Sequence, residues 1–142
     1  MIRSPQNAIE WDAYYDLRYN VLRAPWGQAK GSEQTSDEAQ QQHFAYFDDA
    51  DELLGVGRLD QVDAQTAQIR FMAVAENQQG KGIGKAIMKE IEGISKEKGI
   101  QKIILHAREI ALPFYQKRGY HLVEKSHLLF GEIQHFLMQK HL

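Results

Sequence analysis

The sequence predicts a mixed α+β fold, a sheet with helices packed on it rather than an alternating doubly wound one. Three observations carry this. Period-two alternation and short apolar runs mark strands, apolar residues at three- and four-residue spacing mark helices, and the elements follow in the order helix, three strands, helix, strand, helix, two strands.

The chain has 142 residues, 43% apolar and 25% charged, with a net charge of −2 from 17 Lys+Arg against 19 Asp+Glu. We read 1–142 as one domain, large enough for a substantial core. The near-neutral charge argues against a dedicated nucleic-acid binder. No apolar run approaches the ~18 residues of a membrane span, and 1–10 lacks the charged-then-apolar pattern of a secretion signal. The expectation is a cytoplasmic protein with neither nucleic acid nor membrane as partner. The absence of cysteine excludes disulfides, zinc–thiolate clusters and a cysteine nucleophile. None of Ser4, Ser32, Ser36, Ser95 and Ser126 sits in a Gly-x-Ser-x-Gly elbow, which disfavours the common covalent hydrolases. The histidines are scattered, without a His-x-x-x-His pair, so no metal is expected.

Asn7 caps the first helix, with Glu10 three residues on, and Trp11, Tyr14, Leu17 and Val21 form its apolar face. Pro25-Trp26-Gly27 ends it. The polar stretch 28–42 reads as a flap or a short helix. Segments 43–47 and 52–59 flank a turn of aspartates and form a hairpin, in which Gly55 and Gly57 mark a close approach of another element or a bulge. Residues 66–74 alternate and complete a meander. Ile83, Ile87, Ile91 and Ile94 then stripe a helix that ends at Gly99. The apolar run 100–106 reads as a buried strand. Segment 110–118 reads as a short helix in which Pro113 occupies the first turn or kinks it, and 120–130 pairs with 133–140 around Gly131-Glu132. An exposed hairpin such as 127–140 offers an edge for a homodimer.

The segment with chemistry in it runs from Arg70 to Lys85, where a strand enters a glycine-rich turn that opens a helix. The first N–H groups of a helix lack intrahelical partners and are backed by the helix dipole. Glycines let a phosphate approach that backbone, and Lys81 and Lys85 add positive charge. Spacing disfavours two common ligands. A dinucleotide fingerprint requires a third glycine where Ile87 stands. A P-loop requires a glycine where Gln79 stands and a hydroxyl where Ala86 stands. The glycines alone are equally consistent with a tight turn that binds nothing.

Gln79-Gly80-Lys81-Gly82-Ile83-Gly84 resembles the Gln/Arg-x-x-Gly-x-Gly/Ala motif of the GNAT acetyltransferase superfamily, and Ala111 to Tyr120 is similar to its Ala-x-x-Phe-Tyr-x-x-x-Gly-Phe signature. The resemblance covers 44–140 well and the first helix loosely. It implies a central, mostly antiparallel mixed sheet of about six or seven strands flanked by about three or four helices, splayed between 66–74 and 100–106. It also implies an N-acetyltransferase using acetyl-CoA as co-substrate. Backbone groups of Met72, Ala73 and Val74 would pair with the pantetheine arm, and Gln79, Gly80, Lys81, Gly82, Ile83, Gly84 and Lys85 would hold the pyrophosphate. Tyr115 would lie at the thioester as general acid, and the Val74 N–H would serve the oxyanion. Many relatives carry Asn where this chain has Arg108, which either meets a cofactor phosphate or lies at the surface.

The missing cysteine supports direct attack by the amine, without an acyl-enzyme. The strand carboxylate that some relatives use as base corresponds to Gln68, leaving Glu76, His43, Asp60, His106 or a water relay. The acceptor, a small-molecule or peptide amine, would meet the first helix, the flap and the last hairpin. Those elements offer Tyr14, Tyr15, Arg18, Tyr19, Trp26 and the acidic flap residues Glu33, Asp37 and Glu38; the aromatics and acids suit a cationic amine, whereas Arg58 and Arg70 suit an acceptor with a carboxylate or phosphonate. Alternatives are a non-catalytic acyl-CoA sensing module, a toxin-like acetyltransferase acting on charged tRNA, and an unrelated phosphate-binding domain.

Overall fold

A computed structural model describes residues 1–142. Helix α1 spans Ala8–Leu22, and the Asn7 side chain accepts the Glu10 N–H at 2.9 Å. Glu10 reaches back to the Gln6 N–H and makes a two-pronged pair with Arg3, which holds its carboxyl down to about 2. A 3-10 turn, Ala24–Trp26, follows and closes at Gly27 with φ 68°. A two-residue strand β1 (Ile2–Arg3) precedes α1, too short for any periodicity to reveal it.

Strands β2 (Gln42–Phe47), β3 (Leu53–Gln61) and β4 (Thr66–Val74) form the expected antiparallel meander. Helix α2 (Ile83–Glu97), strand β5 (Lys102–Arg108), the five-residue helix α3 (Leu112–Gln116) and the hairpin of β6 (His121–Leu129) and β7 (Ile133–His141) complete the chain. Pro113 sits in the first turn of α3, where its missing N–H costs nothing. The seven-stranded sheet has the order β1-β2-β3-β4-β5-β7-β6, and β4–β5 is its one parallel contact. No helix is long and apolar enough to cross a membrane.

The helices occupy opposite faces of the sheet. Tyr14 and Leu17 of α1 pack on Ala45, Phe47, Val56 and Ala73. Ile83, Ile87, Met88 and Ile91 of α2 pack on the other face with Phe44, Leu54 and Ile103. Gly55 and Gly57 point towards α2. A Cβ at Gly55 would lie 2.8 Å from Ile83 Cγ2, and one at Gly57 would lie 3.2 Å from Ile87 Cγ2. The close approach and the bulge proposed for these glycines both occur. The β3–β4 register shifts between Val56 and Arg58, so Gly57 faces both Phe71 and Met72, and Phe71 takes φ 55°.

The bulge sits where β4 and β5 part. Their pairing runs from Thr66↔Lys102 to Ile69↔Leu105 and stops. Beyond it, β5 stays paired to β7 as far as Arg108↔His135, while Met72–Val74 stay with β3. The sheet therefore splays between β4 and β5.

Beneath Phe71 lies a buried ionic cluster that corrects two expectations. Arg18 and Arg58 do not point into an open cleft; both are fully buried. Arg18 Nη1 donates to Glu38 Oε2 at 2.7 Å and to the Glu33 carbonyl at 3.0 Å. Arg58 Nη1 donates to the same Glu38 oxygen at 2.9 Å, while its Nε and Nη2 grip Asp60 at 2.7 Å each. The stretch 28–42 is an irregular run of turns, with one 3-10 turn at Glu38–Gln40, and it inserts Glu33 and Glu38 into the protein. Those two acids are thus neither a solvated loop nor a lure for cations. Burial opposes the Glu38 charge, but the Thr35 N–H and the two arginines outweigh it and hold the carboxyl below its usual range.

This packing sets the stability cost of three substitutions. Gly55→Val forces α2 off the sheet and lowers the urea-unfolding free energy by about 1–3 kcal/mol. Gly93→Ala, in α2 with nothing within 4 Å of the new Cβ, raises it by about 0.5–1 kcal/mol. Glu38→Gln takes from buried Arg18 its only carboxylate and from Arg58 one of its carboxylate partners, and destabilises by about 3–5 kcal/mol. Because the folded Glu38 carboxyl lies below its ordinary value of 4.5, its stabilisation is present above that pH and is lost as pH falls through the folded value. His43, pushed below 6.5 by burial, resists protonation and adds a loss on the same acid side. Acid unfolding of Glu38→Gln therefore has a shallower pH slope than the parent.

Candidate active site

The turn after β4 leaves a row of main-chain donors open. Gly80 and Gly82 adopt φ 79° and 85°, and a Cβ at either would meet no atom within 4 Å. The first main-chain bond of α2 runs from the Ala86 N–H to the Gly82 carbonyl at 3.0 Å, and the N–H groups of Lys81, Gly82, Ile83, Gly84 and Lys85 find no protein acceptor. Gly84 is needed for packing instead: a Cβ there would lie 3.1 Å from Phe114 Cζ. Arg118 fixes that ring, its guanidinium 4.0 Å from the ring centre. A cradle of free N–H groups at a helix N-terminus, open where side chains would otherwise project, fits a diphosphate.

This cradle opens into a groove of about 700 Å³. Its walls include Met72, Ala73 and Val74, then Gln79, Gly80, Gly82, Ile83, Gly84 and Lys85, and on the far side Arg108, Phe114 and Tyr115. Of the residues expected around the cofactor, Lys81 alone stands outside the wall; it is exposed and meets Gln78 Oε1 at 3.3 Å. The Ala75 N–H bonds to the Leu54 carbonyl, so alternation makes Gly55↔Val74 a pair without mutual hydrogen bonds. The Val74 N–H is thereby directed away from β3, towards the splay.

A second chamber of about 380 Å³ lies along the other side of the splay, between the end of α1, β4, β5 and the β6–β7 hairpin. The two spaces share Leu22, Met72, Arg108, Ala111 and Tyr115. Tyr115 is buried at this junction, and burial pushes its phenol up to about 12 against the opposing effect of Arg108. Arg108 therefore lines both spaces, with its guanidinium 5.4 Å from the Trp26 ring centre.

Of the residues expected at the acceptor, Trp26 and Arg70 line the chamber. Tyr15 does not; it stacks on Trp11 in the packing of α1. Arg18 and Arg58 lie in the ionic cluster described above. Among the candidate bases, Glu76 is exposed in the turn and Asp60 is held by Arg58. His43 is buried between the Glu38 carbonyl and the Tyr14 hydroxyl. His106 alone of the four reaches the chamber, with its Nδ1 2.9 Å from Ser126 Oγ. Burial first, then His127, His135 and Arg70, keep its imidazole below the ordinary 6.5. Gln68 lines the same wall. Three further lining residues, Arg23, His127 and His135, escaped the sequence reading. Only the parity of the last hairpin, aligned to β5, brings the two histidines inward.

The Acetyltransferase (GNAT) family model matches residues 10–120. An uncharacterised N-acetyltransferase of Bacillus subtilis strain 168, YjcF, is 29% identical over 103 residues, 72% of each chain. Among solved structures, one from Lactobacillus plantarum described as an N-acetyltransferase has TM-score 0.85 at 19% identity, covering 100% of this chain and 96% of that one. An aminoglycoside 6'-N-acetyltransferase complexed with coenzyme A has TM-score 0.82 at 19% identity, covering 99% and 96%. The glycine cradle, the splayed sheet and the match over most of the chain converge: this protein belongs to the GNAT acetyltransferase family and is an acyltransferase.

Proposed function

We propose that the chain transfers an acetyl group from acetyl-CoA to a primary amine by direct attack within a ternary complex. The observation that best supports this is the meeting of groove and chamber at Tyr115, which gives donor and acceptor separate entrances to one point. Acetyl-CoA supplies the thioester. In the transfer, the C–N bond forms, the C–S bond breaks, and the amine loses a proton while the sulfur leaves as thiolate.

The chain's own groups divide these tasks. The N–H groups from Lys81 to Lys85 hold the diphosphate, and the free edge at Met72–Val74 receives the pantetheine arm as a short extra strand. The Val74 N–H faces the gap and donates to the carbonyl oxygen as negative charge builds on it; a preorganised donor of this kind contributes roughly 10²–10³ in rate. Tyr115 donates to the departing sulfur. A phenol near 12 is a weak acid, but the burial that raises it also raises a thiol beside it, so the two stay close enough to share a proton. His106, uncharged at neutral pH, accepts the proton of the incoming amine directly or through a water.

Tyr115→Phe lowers kcat by roughly 10²-fold or more with an intact fold and little change in acetyl-CoA affinity. Unchanged kcat removes the tyrosine from the chemistry. The His106 assignment is read from the pH profile. Because its pKa is depressed, the acid limb of kcat/KM, where the imidazole gains a proton, is centred below the ordinary 6.5. His106→Gln abolishes that acid limb and lowers the plateau; a limb that persists in the variant places the proton acceptor elsewhere.

A further inference from the structure

The chamber on the acceptor side is lined by three arginines and three histidines, and by no carboxylate. Resting on the acetyl-transfer reading above, we propose that the acceptor amine carries an anionic group, a carboxylate or a phosphate, and that Arg23 and Arg70 bind it.

The inference stands on what the cations lack. Arg18 and Arg58, buried and outside the chamber wall, are matched by Glu38 and Asp60 at 2.7–2.9 Å. Arg70, on the chamber side, reaches only to 3.7 Å from Asp60 Oδ2, an oxygen that Arg58 already holds at 2.7 Å. Its side chain keeps 39% of its exposure. Arg23 donates only to main-chain carbonyls, those of Ser32 at 3.2 Å and Leu22 at 2.9 Å, and so keeps its full charge. Burial, then Arg18 and Arg70, disfavour that charge and outweigh the opposing effect of Glu33. Positive groups gathered in a half-buried space without counter-charge repel one another, and an arriving anion relieves the repulsion. Guanidinium groups also present the paired donors that carboxylate and phosphate oxygens accept.

The histidines add to the polarity without competing for the role. His127 and His135 stack with ring centres 4.5 Å apart, and His106 lies 5.1 Å from His127. His106 is tilted against His127 at 58°, and the three rings form no metal-holding group. The same surroundings reject a polycationic acceptor, since a second ammonium group would meet guanidinium with no acid to receive it. The cationic-amine alternative raised by the sequence depends on the flap acids, and none of Glu33, Asp37 and Glu38 lines this chamber.

The test pairs acceptors that differ only in the anion: phosphoethanolamine against ethanolamine, glucosamine 6-phosphate against glucosamine, and glutamate against its diamide, with spermidine as the polycation. Thiol release from acetyl-CoA is followed, and acetyl-CoA binding is measured by calorimetry in parallel. The expected result is a kcat/KM roughly 10- to 100-fold higher for the anionic member of at least one pair, the preferred pair separating carboxylate from phosphate. Arg70→Gln and Arg23→Gln each lower that value roughly 10-fold or more, mainly through KM, with acetyl-CoA binding retained. Turnover that favours the neutral members or spermidine overturns the proposal, as does a lack of turnover with every acceptor when acetyl-CoA binds. A protein that gives no heat with acetyl-CoA fails at the earlier step, the acetyl-transfer reading itself.

Discussion

Strand β4 cannot stay paired with both of its neighbours, and the site depends on that failure. Its register with β5 ends at Ile69, and Phe71 then takes a left-handed conformation opposite Gly57. A bulge adds twist and turns the strand, so Met72–Val74 follow β3 while β5 follows β7. A non-glycine residue in that conformation costs of order 1–3 kcal/mol. Its surroundings offset the cost. Guanidinium carbons of Arg18, Arg58 and Arg70 lie 4.2, 4.9 and 4.9 Å from the Phe71 ring centre, and Tyr14 donates to the Gly57 carbonyl at 3.0 Å. The strain is local, and its product is a sheet edge inside the protein.

The arginines around that ring fall into two populations. Outside the chamber wall charge is cancelled within hydrogen-bonding distance, which makes Arg18 and Arg58 structural ties among α1, β3 and the 28–42 segment. Along the chamber wall, at Arg23 and Arg70, charge is left over. A buried pair holds the fold through geometry that admits little else, whereas an unpaired guanidinium in a half-open chamber is available to a ligand. Residue type alone does not distinguish the two uses; the position of the nearest carboxylate does.

That difference marks the limit of what the sequence discloses. The Asn7 cap, the alternation over Thr66–Val74, the isoleucine stripe of α2 and the glycine turn are local patterns, and each lies in the structure where its spacing places it. The groove is legible for the same reason, since most of its wall is contiguous sequence around one turn. The chamber is not. Its residues come from the end of α1, the middle of two strands and the last hairpin, and only tertiary register assembles them. Phe71 continues an alternating pattern on paper, so the bulge shows only in Gly57 on the facing strand and not in β4 itself. Arg18 reads as an acceptor-site residue and Glu38 as an acid of the flap, although each is buried against the other. Strand β1 is two residues long, below any period.

The asymmetry between groove and chamber has a consequence for how likeness to other proteins should be weighed. On the proposed reading, the donor side rests on main-chain groups: N–H donors of a turn and a strand edge. Such groups survive extensive side-chain change provided the glycines and the splay persist, and chains 19% identical share this fold with TM-scores of 0.85 and 0.82. The acceptor side rests on side chains carried by separate elements, and each can change without disturbing the sheet. A shared backbone thus speaks for a shared architecture, and acceptor choice must be read from the charges that line this chain's own chamber.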